Sequence, residues 1–270
     1  MNDYAHLVAN ALDAGQIPWR LQNRLPRNVI SDELYPGVDP IILQIASTRL
    51  GFTSPFWGTI HDWQAFGSKL IVAPEEAIRL PSSEWAVFNL GQTDRHYKPA
   101  PLSFGDPEKI VDKIVIGAGI RIEHQASADC RWIGGANERI CLPFKFMFDL
   151  GPGGEPAYFD ALLHEIGHWS EDRIMGWTAS YDVNELRAEI ISGYALGWLG
   201  IKPLPATLAQ HHKRFAPAWA KALRQEPGLR FEIGRNVCKT LDFLFGFAGV
   251  TIPWQEVRME WKHVLANSGH

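Results

Sequence analysis

Cysteine is scarce in this chain. Cys130, Cys141 and Cys238 are an odd number without C-x-x-C spacing, which reads as three reduced thiols in a cytoplasmic protein rather than a disulfide framework. Long apolar runs are missing too. The longest candidates are interrupted by Lys202-Pro203 and by Lys239 and Asp242, so no run of 18 apolar residues exists and no membrane helix is expected. The opening Met1-Asn2-Asp3-Tyr4 lacks the basic start of a secretory signal. An excess of positive charge is also absent. A net charge of −4 and a pI near 6.2 exclude a global attraction to nucleic acid. There is no internal repeat and no low-complexity tract.

What remains is a globular composition, 46% apolar and 21% charged over 270 residues. That is enough for one large domain or two modest ones. Eleven tryptophans are many for this length. Periodicity predicts helices over 4–15 and 40–50, the latter stopped by Gly51, and short strands over 56–59, 69–72 and 85–90. Residues 94–106 carry Pro99, Pro101 and Gly105 without a clear period and mark a linker. Beyond it, 107–114 reads as helix, and 120–124 and 139–143 as strands. The rest is helix-rich, with helices over 205–215, 217–225 and 231–245. The expected fold class is α+β. A small N-terminal α/β domain over 1–100 precedes a helix-rich domain over 101–270.

The most informative stretch is His164-Glu165-Ile166-Gly167-His168. On a helix, residues four apart share a face, so both imidazoles can hold one Zn²⁺ with Glu165 beside them as general base. The preceding segment supplies that helix. Pro156 suits a first turn, and Leu162, Leu163, Ile166 and Trp169 give an apolar stripe. The plainer alternative is an amphipathic helix with two solvated histidines.

A catalytic zinc needs a third protein ligand. Asn184-Glu185-Leu186-Arg187-Ala188-Glu189 offers two carboxylates four apart, one for the metal and one to orient an imidazole. This resembles the gluzincin arrangement, and the resemblance implies Glu185 as ligand and Glu189 as support. Against it, Asp182-Val183-Asn184-Glu185 also fits a D-x-x-E capping box, which would leave Glu189 as the ligand. Asp160, one turn before His164, is another candidate to orient a ligand imidazole. Tyr181 is a candidate donor to a developing oxyanion, or else a hydrophobic staple at the helix start.

Nearly end to end, the chain resembles the ArdC-type antirestriction family. The resemblance runs through Tyr4, Gly15-Gln16-Ile17-Pro18-Trp19, Pro26-Arg27-Asn28, Tyr35-Pro36-Gly37 and Gly51-Phe52. It continues through Trp57-Gly58-Thr59, Phe66-Gly67, Val87 to Gln92, Ile140-Cys141-Leu142-Pro143, Tyr158 to Trp169, and Tyr181 with Glu185 to Glu189. It implies an N-terminal single-stranded-DNA-binding domain joined to a C-terminal zincin-like metallopeptidase domain. Two details depart from the family. A second Pro-Trp is missing, and a turn that is basic in the family reads Val72-Ala73-Pro74-Glu75-Glu76 here.

Single-strand binding requires a basic groove and exposed aromatics. Residues 1–100 hold eight Lys/Arg and ten Asp/Glu, a net of −2, which argues against a broad phosphate footprint. A local site would draw on Trp19, Arg20, Arg24, Arg27 and Trp57, with Phe56 and Trp63 nearby. Alternatively, these aromatics are core residues. A second basic stretch, 213–239, reads as the solvated face of helices.

The leading expectation is a zinc peptidase acting on a peptide or protein. His164, His168 and Glu185 hold the ion, and Glu165 moves the proton. Two rivals stand beside it. One is a non-catalytic protein that protects single-stranded DNA and keeps a structural or vestigial zinc. The other is a zincin that processes a regulator without binding DNA.

Overall fold

In this computed structural model, residues 4–20, 24–95, 105–149, 154–174, 176, 180–201, 210–226 and 228–255 are described. The first half runs α1 (Tyr4–Asp13), β1 (Arg27–Asn28), α2 (Asp39–Leu50), β2 (Phe56–Gly58), α3 (Ile60–Ala65), β3 (Ile78–Arg79) and β4 (Ala86–Asn89). The second half runs α4 (Pro107–Gly117), β5 (Ile122–Gln125), β6 (Arg131–Ile133), β7 (Arg139–Pro143) and α5 (Lys145–Asp149). It continues through α6 (Gly154–Ile174), α7 (Tyr181–Leu199), α8 (Gln210–Gln225) and α9 (Leu229–Phe247). The fold is α+β, as the sequence predicts, with a small sheet in each half and the helices concentrated in the second.

The first sheet has the order β1-β2-β4-β3. Its β1–β2 pair is parallel, with Arg27 opposite Phe56, and β4 is antiparallel to both β2 and β3. The second has the order β5-β7-β6. Here β5 is parallel to β7, with Ile122 opposite Ile140, and β6 is antiparallel, with Trp132 opposite Ile140. β6 is therefore an outer strand.

One large core joins the two halves. Val8, Leu12, Trp19, Ile41 and Ile45 pack in the same cluster as Leu162, Ile166, Leu186, Ile190, Trp219 and Leu241. α1 lies against α8, and the Trp19 indole meets Trp219 edge-on at 5.5 Å. The far end of the chain returns to the first half, where Leu34 N–H donates to Pro253 O and Gln255 N–H to Leu34 O. Two smaller clusters lie against the first sheet, one around Tyr35, Leu43 and Trp57, the other around Phe56, Trp63 and Phe88.

α6 and α7 form the centre. The predicted stripe Leu162, Leu163, Ile166 and Trp169 is buried, but so are Glu165 and His168 on other faces. α6 is thus enclosed rather than amphipathic, and α7 is buried from Val183 to Leu199. Enclosed helices must approach closely, and glycine permits it. A methyl group on Gly167 would lie 3.0 Å from Ala188 Cα. One on Gly193 would lie 2.4 Å from the Trp19 carbonyl oxygen, so the segment ending at Arg20 rests directly on α7.

Several expectations are corrected. The strand predicted over 69–72 is a single bridge, Leu70 to Thr93. Pairing stops there because Pro74 lacks a donor and opens a 3-10 turn over Pro74–Glu76. The break predicted at Pro217 is absent, since that proline lies inside α8. Burial of Phe215 and Ala216 before it and Trp219, Ala220 and Leu223 after it holds the helix together despite the lost N–H bond. The predicted start of that helix near Pro205, and the middle of the linker expected over 94–106, lie outside the described residues. β1, α3, β3, β6 and α5 have no counterpart among the predicted elements, being too short to show a period. Among the described residues no helix is long and apolar enough to cross a membrane.

Replacing Gly193 by alanine tests the close approach. Because the obstructing atom is backbone, the change should cost about 1–3 kcal/mol, read as a lowered thermal midpoint with the secondary structure retained. An unchanged midpoint would show that the segment before Arg20 does not lean on α7.

Candidate metal centre

Four of the candidate residues meet where α6 and α7 cross. His164, Glu165 and His168 lie on α6 and Glu185 on α7, facing each other across the Gly167–Ala188 contact. The two imidazole Nε2 atoms are 3.1 Å apart. Glu185 places Oε2 3.5 Å from Nε2 of His164 and Oε1 3.3 Å from Nε2 of His168. One ligand-type atom from each of the three lies within 4.8 Å of the others.

That geometry fits a cation. Ligand bonds of about 2.0–2.1 Å in a tetrahedron put the donor atoms roughly 3.3–3.4 Å apart, close to what is seen. The chemistry fits as well. Each ring turns its other nitrogen to a carboxylate: His164 Nδ1 lies 3.1 Å from Glu189 Oε1, and His168 Nδ1 lies 3.5 Å from Glu171 Oε2. If both Nδ1 atoms carry the proton toward these acids, both Nε2 lone pairs and the Glu185 oxygens point at one space, an arrangement that calls for positive charge. Two buried lone pairs face to face are otherwise unfavourable.

The electrostatics agree. Burial disfavours charge on His164, but Glu185, Glu189 and Glu165 outweigh it and raise its pKa well above the usual value. His168 is raised in the same way, burial opposing and Glu171 and Glu185 prevailing. Burial would lift the Glu185 carboxyl, yet its bonds to the two imidazoles hold it well below the usual carboxylate range. Glu165 behaves differently. Burial raises its pKa, only partly offset by His164, His168 and a hydrogen bond from the Trp132 backbone N–H. It is a carboxylate with raised proton affinity beside a negatively biased cavity, as general acid–base work requires.

The capping alternative for Glu185 does not match the helix start. Ser180 is the N-cap, its hydroxyl accepting from Val183 N–H, so Glu185 lies beyond the first turn with its side chain on the imidazoles. Glu189 sits on the Nδ1 side of His164, away from the convergence point. Tyr181 opens α7, largely exposed, with its phenol hydrogen-bonded to Glu185 and burial and that carboxylate pushing its pKa up to about 12. It therefore keeps its proton beside the site. Asp160 is not on a ligand imidazole. Its Oδ2 takes a bond from Arg20 at 2.7 Å and its Oδ1 one from Ser192 at 3.1 Å.

The residues expected to form a single-strand site do not make a surface. Trp19 and Trp57 are wholly buried, so neither offers a ring face to a base. Arg27 is also buried and paired with Asp32 at 2.9 Å. Arg20 turns inward to Asp160, and Arg24 is half-buried. Trp19 is buried by the core that the two halves share, and Trp57 by a cluster within the first half, neither of which local pattern reveals. Sequence reasoning missed Glu171 and the Trp132 N–H. Glu171 had a readable signal, an acid three residues after His168 on the same helix face. Trp132 had none, since its role depends on where β6 is placed.

Residues 2–76 match the family described as the N-terminal domain of anti-restriction factor ArdC, and residues 109–234 match a family described as zincin-like metallopeptidase. A Sinorhizobium fredii (strain NBRC 101917 / NGR234) protein, y4eC, is 24% identical over 280 residues, covering 88% of each chain. Among solved structures, the antirestriction ArdC protein from the R388 plasmid in metal-free form aligns with a TM-score of 0.72 at 20% identity. That alignment covers 94% of this chain and 98% of the other. Its Mn(II)-bound form aligns with a TM-score of 0.69 at 21% identity, covering 90% and 96%.

Metal analysis of the purified chain should find about one ion per molecule. His164→Ala and Glu185→Ala should each abolish it, whereas Tyr181→Phe should leave it in place. Retention by Glu185→Ala would move the third ligand elsewhere.

Proposed function

We propose that this chain, whose residues 2–76 match the N-terminal domain of anti-restriction factor ArdC and whose residues 109–234 match a zincin-like metallopeptidase family, is an antirestriction protein of the ArdC type with metal-dependent peptidase chemistry. We place it in the cytoplasm. The single observation that carries this reading is the convergence of His164, His168 and Glu185 on one point with the buried Glu165 beside it.

His164, His168 and Glu185 would hold the ion. Two imidazoles and one carboxylate are a zinc donor set that leaves a position open, although the solved relative was crystallised with manganese. When bound, the metal would supply a polarised carbonyl and an acidified water. Glu165 would accept the proton of the attacking water at its carboxylate and return it to the leaving amine, a role its raised proton affinity suits. Tyr181, a phenol with a strongly held proton hydrogen-bonded to Glu185, would turn that proton toward an oxyanion. The Trp132 N–H on outer strand β6 fixes the Glu165 carboxylate, so an extended peptide running past this strand would meet the site. Glu189 and Glu171 keep the imidazoles oriented.

Single-stranded DNA as a partner of residues 1–100, ahead of a catalytic unit over 101–270, is supported by the match of the N-terminal domain. Its contact residues would lie outside the buried set of Trp19, Trp57 and Arg27. Those same burials favour a second reading, a zincin that processes a protein regulator while its N-terminal part serves the fold.

Two measurements separate these readings. Glu165→Gln should keep its metal and lose about 10²- to 10⁴-fold of peptide-library cleavage. Equal cleavage by the variant would sink the hydrolase reading. Titration of the full chain with a single-stranded oligonucleotide should show affinity falling steeply with rising salt if phosphates are contacted. Absence of binding at low salt would leave the regulator-processing reading.

A further inference from the structure

Arg20 lies about 140 positions from the metal motif in sequence, yet its side chain ends within the layer around the site. Its Nη2 is 2.7 Å from Asp160 Oδ2 and 3.8 Å from Glu189 Oε2. Asp160 stands one helical turn before His164, and Glu189 one turn after Glu185. The other oxygen of Glu189 is 3.1 Å from His164 Nδ1. One guanidinium therefore lies beside two buried carboxylates, and one of those carboxylates faces the Nδ1 of a candidate ligand ring.

Two buried acids on neighbouring helices repel unless a cation lies between them. A guanidinium suits the place, being planar, permanently charged and rich in donors. Its delivery is rigid. Arg20 N–H closes a turn on Ile17 O at 3.0 Å. The Trp19 carbonyl sits against the bare Cα of Gly193, and the Trp19 indole packs on Trp219. Ser192 holds the second oxygen of Asp160 at 3.1 Å, so the acid that anchors the guanidinium is itself fixed.

We propose that Arg20 is a positioning residue for the metal centre, holding Glu189 against His164 and thereby making the N-terminal segment a structural part of that centre. This rests on the reading that His164, His168 and Glu185 bind a metal. It also ties the two halves of the chain by linkage, because whatever displaces the 17–20 turn weakens metal binding, and bound metal stabilises the turn.

The test is chelator competition with Zn²⁺ on the full-length chain, accompanied by the visible spectrum of the Co²⁺-loaded protein. Arg20→Gln should still take one ion per chain but bind it about 10- to 100-fold more weakly, with an altered Co²⁺ spectrum. Arg20→Lys should recover part of the loss. In a Glu189→Gln background, Arg20→Gln should change affinity less than about twofold, since its effect passes through Glu189. A merely structural arginine would instead give independent losses. Should Arg20→Gln fail to fold, Glu189→Gln alone must show the same weakening with Arg20 in place. Wild-type affinity and spectrum in Arg20→Gln, or additive losses in the double variant, would overturn the proposal while leaving the metal site standing. No metal uptake by the wild type would instead overturn the site reading, and this proposal with it.

Discussion

The bare Cα of Gly167 against Ala188 is the contact on which the centre depends. Helices packed through ordinary side chains run about 8–10 Å apart, and at the wider end of that range Glu185 would not reach both imidazoles. Glycine at the crossing lets α7 settle onto α6, with a methyl group excluded by a 3.0 Å approach. The two faces that meet there are lined by histidines on one side and acids on the other. Their spacing of four residues on each helix brings like rows into register. The metal-type geometry is thus a product of helix packing rather than of any loop.

Around that crossing, charge is arranged in layers. Glu185 faces both Nε2 atoms, and Glu189 and Glu171 stand behind the rings at Nδ1. Arg20 covers Asp160 and Glu189 from outside, while Arg187 pairs with Glu232 on α9 near Glu171. Burying this many acids is unfavourable in isolation. It is tolerated because each layer neutralises the one within, leaving an inner space biased toward a cation. Glu165 and Glu171 differ from Glu185: burial outweighs the neighbouring positive charge and raises their proton affinity, where that of Glu185 is lowered.

The first half of the chain takes part in this architecture instead of hanging beside it. Trp19 lies in the core shared with α7 and α8, Trp57 fills the interior of the first sheet, and Arg27 is held inside by Asp32. Tryptophan next to arginine looks like a base-stacking surface in sequence, yet the same residues serve equally as an apolar wedge and an internal counter-charge. Burial separates the two uses, and it is set by tertiary partners: Trp219 some two hundred residues from Trp19, and Leu43 and Val87 around Trp57.

The sequence by itself determined the local chemistry. His164, Glu165 and His168 share a helix, Glu185 and Glu189 share another, and the strands at 56–58, 86–89 and 139–143 and most helices follow from period and punctuation. These are legible because spacing along one element fixes which side chains lie together. The tertiary structure alone decided everything that depends on two elements meeting. Glu185 rather than Glu189 faces both Nε2 atoms, because α7 begins at a Ser180 cap and crosses α6 at one point. Asp160 binds Arg20 instead of an imidazole, and Glu171 and the Trp132 N–H complete a site that pattern could not assemble. Pro217 stays inside a helix because burial on both sides outweighs one missing hydrogen bond. A one-dimensional period carries the direction of a side chain within its own helix, whereas the partner it meets is set by long-range packing.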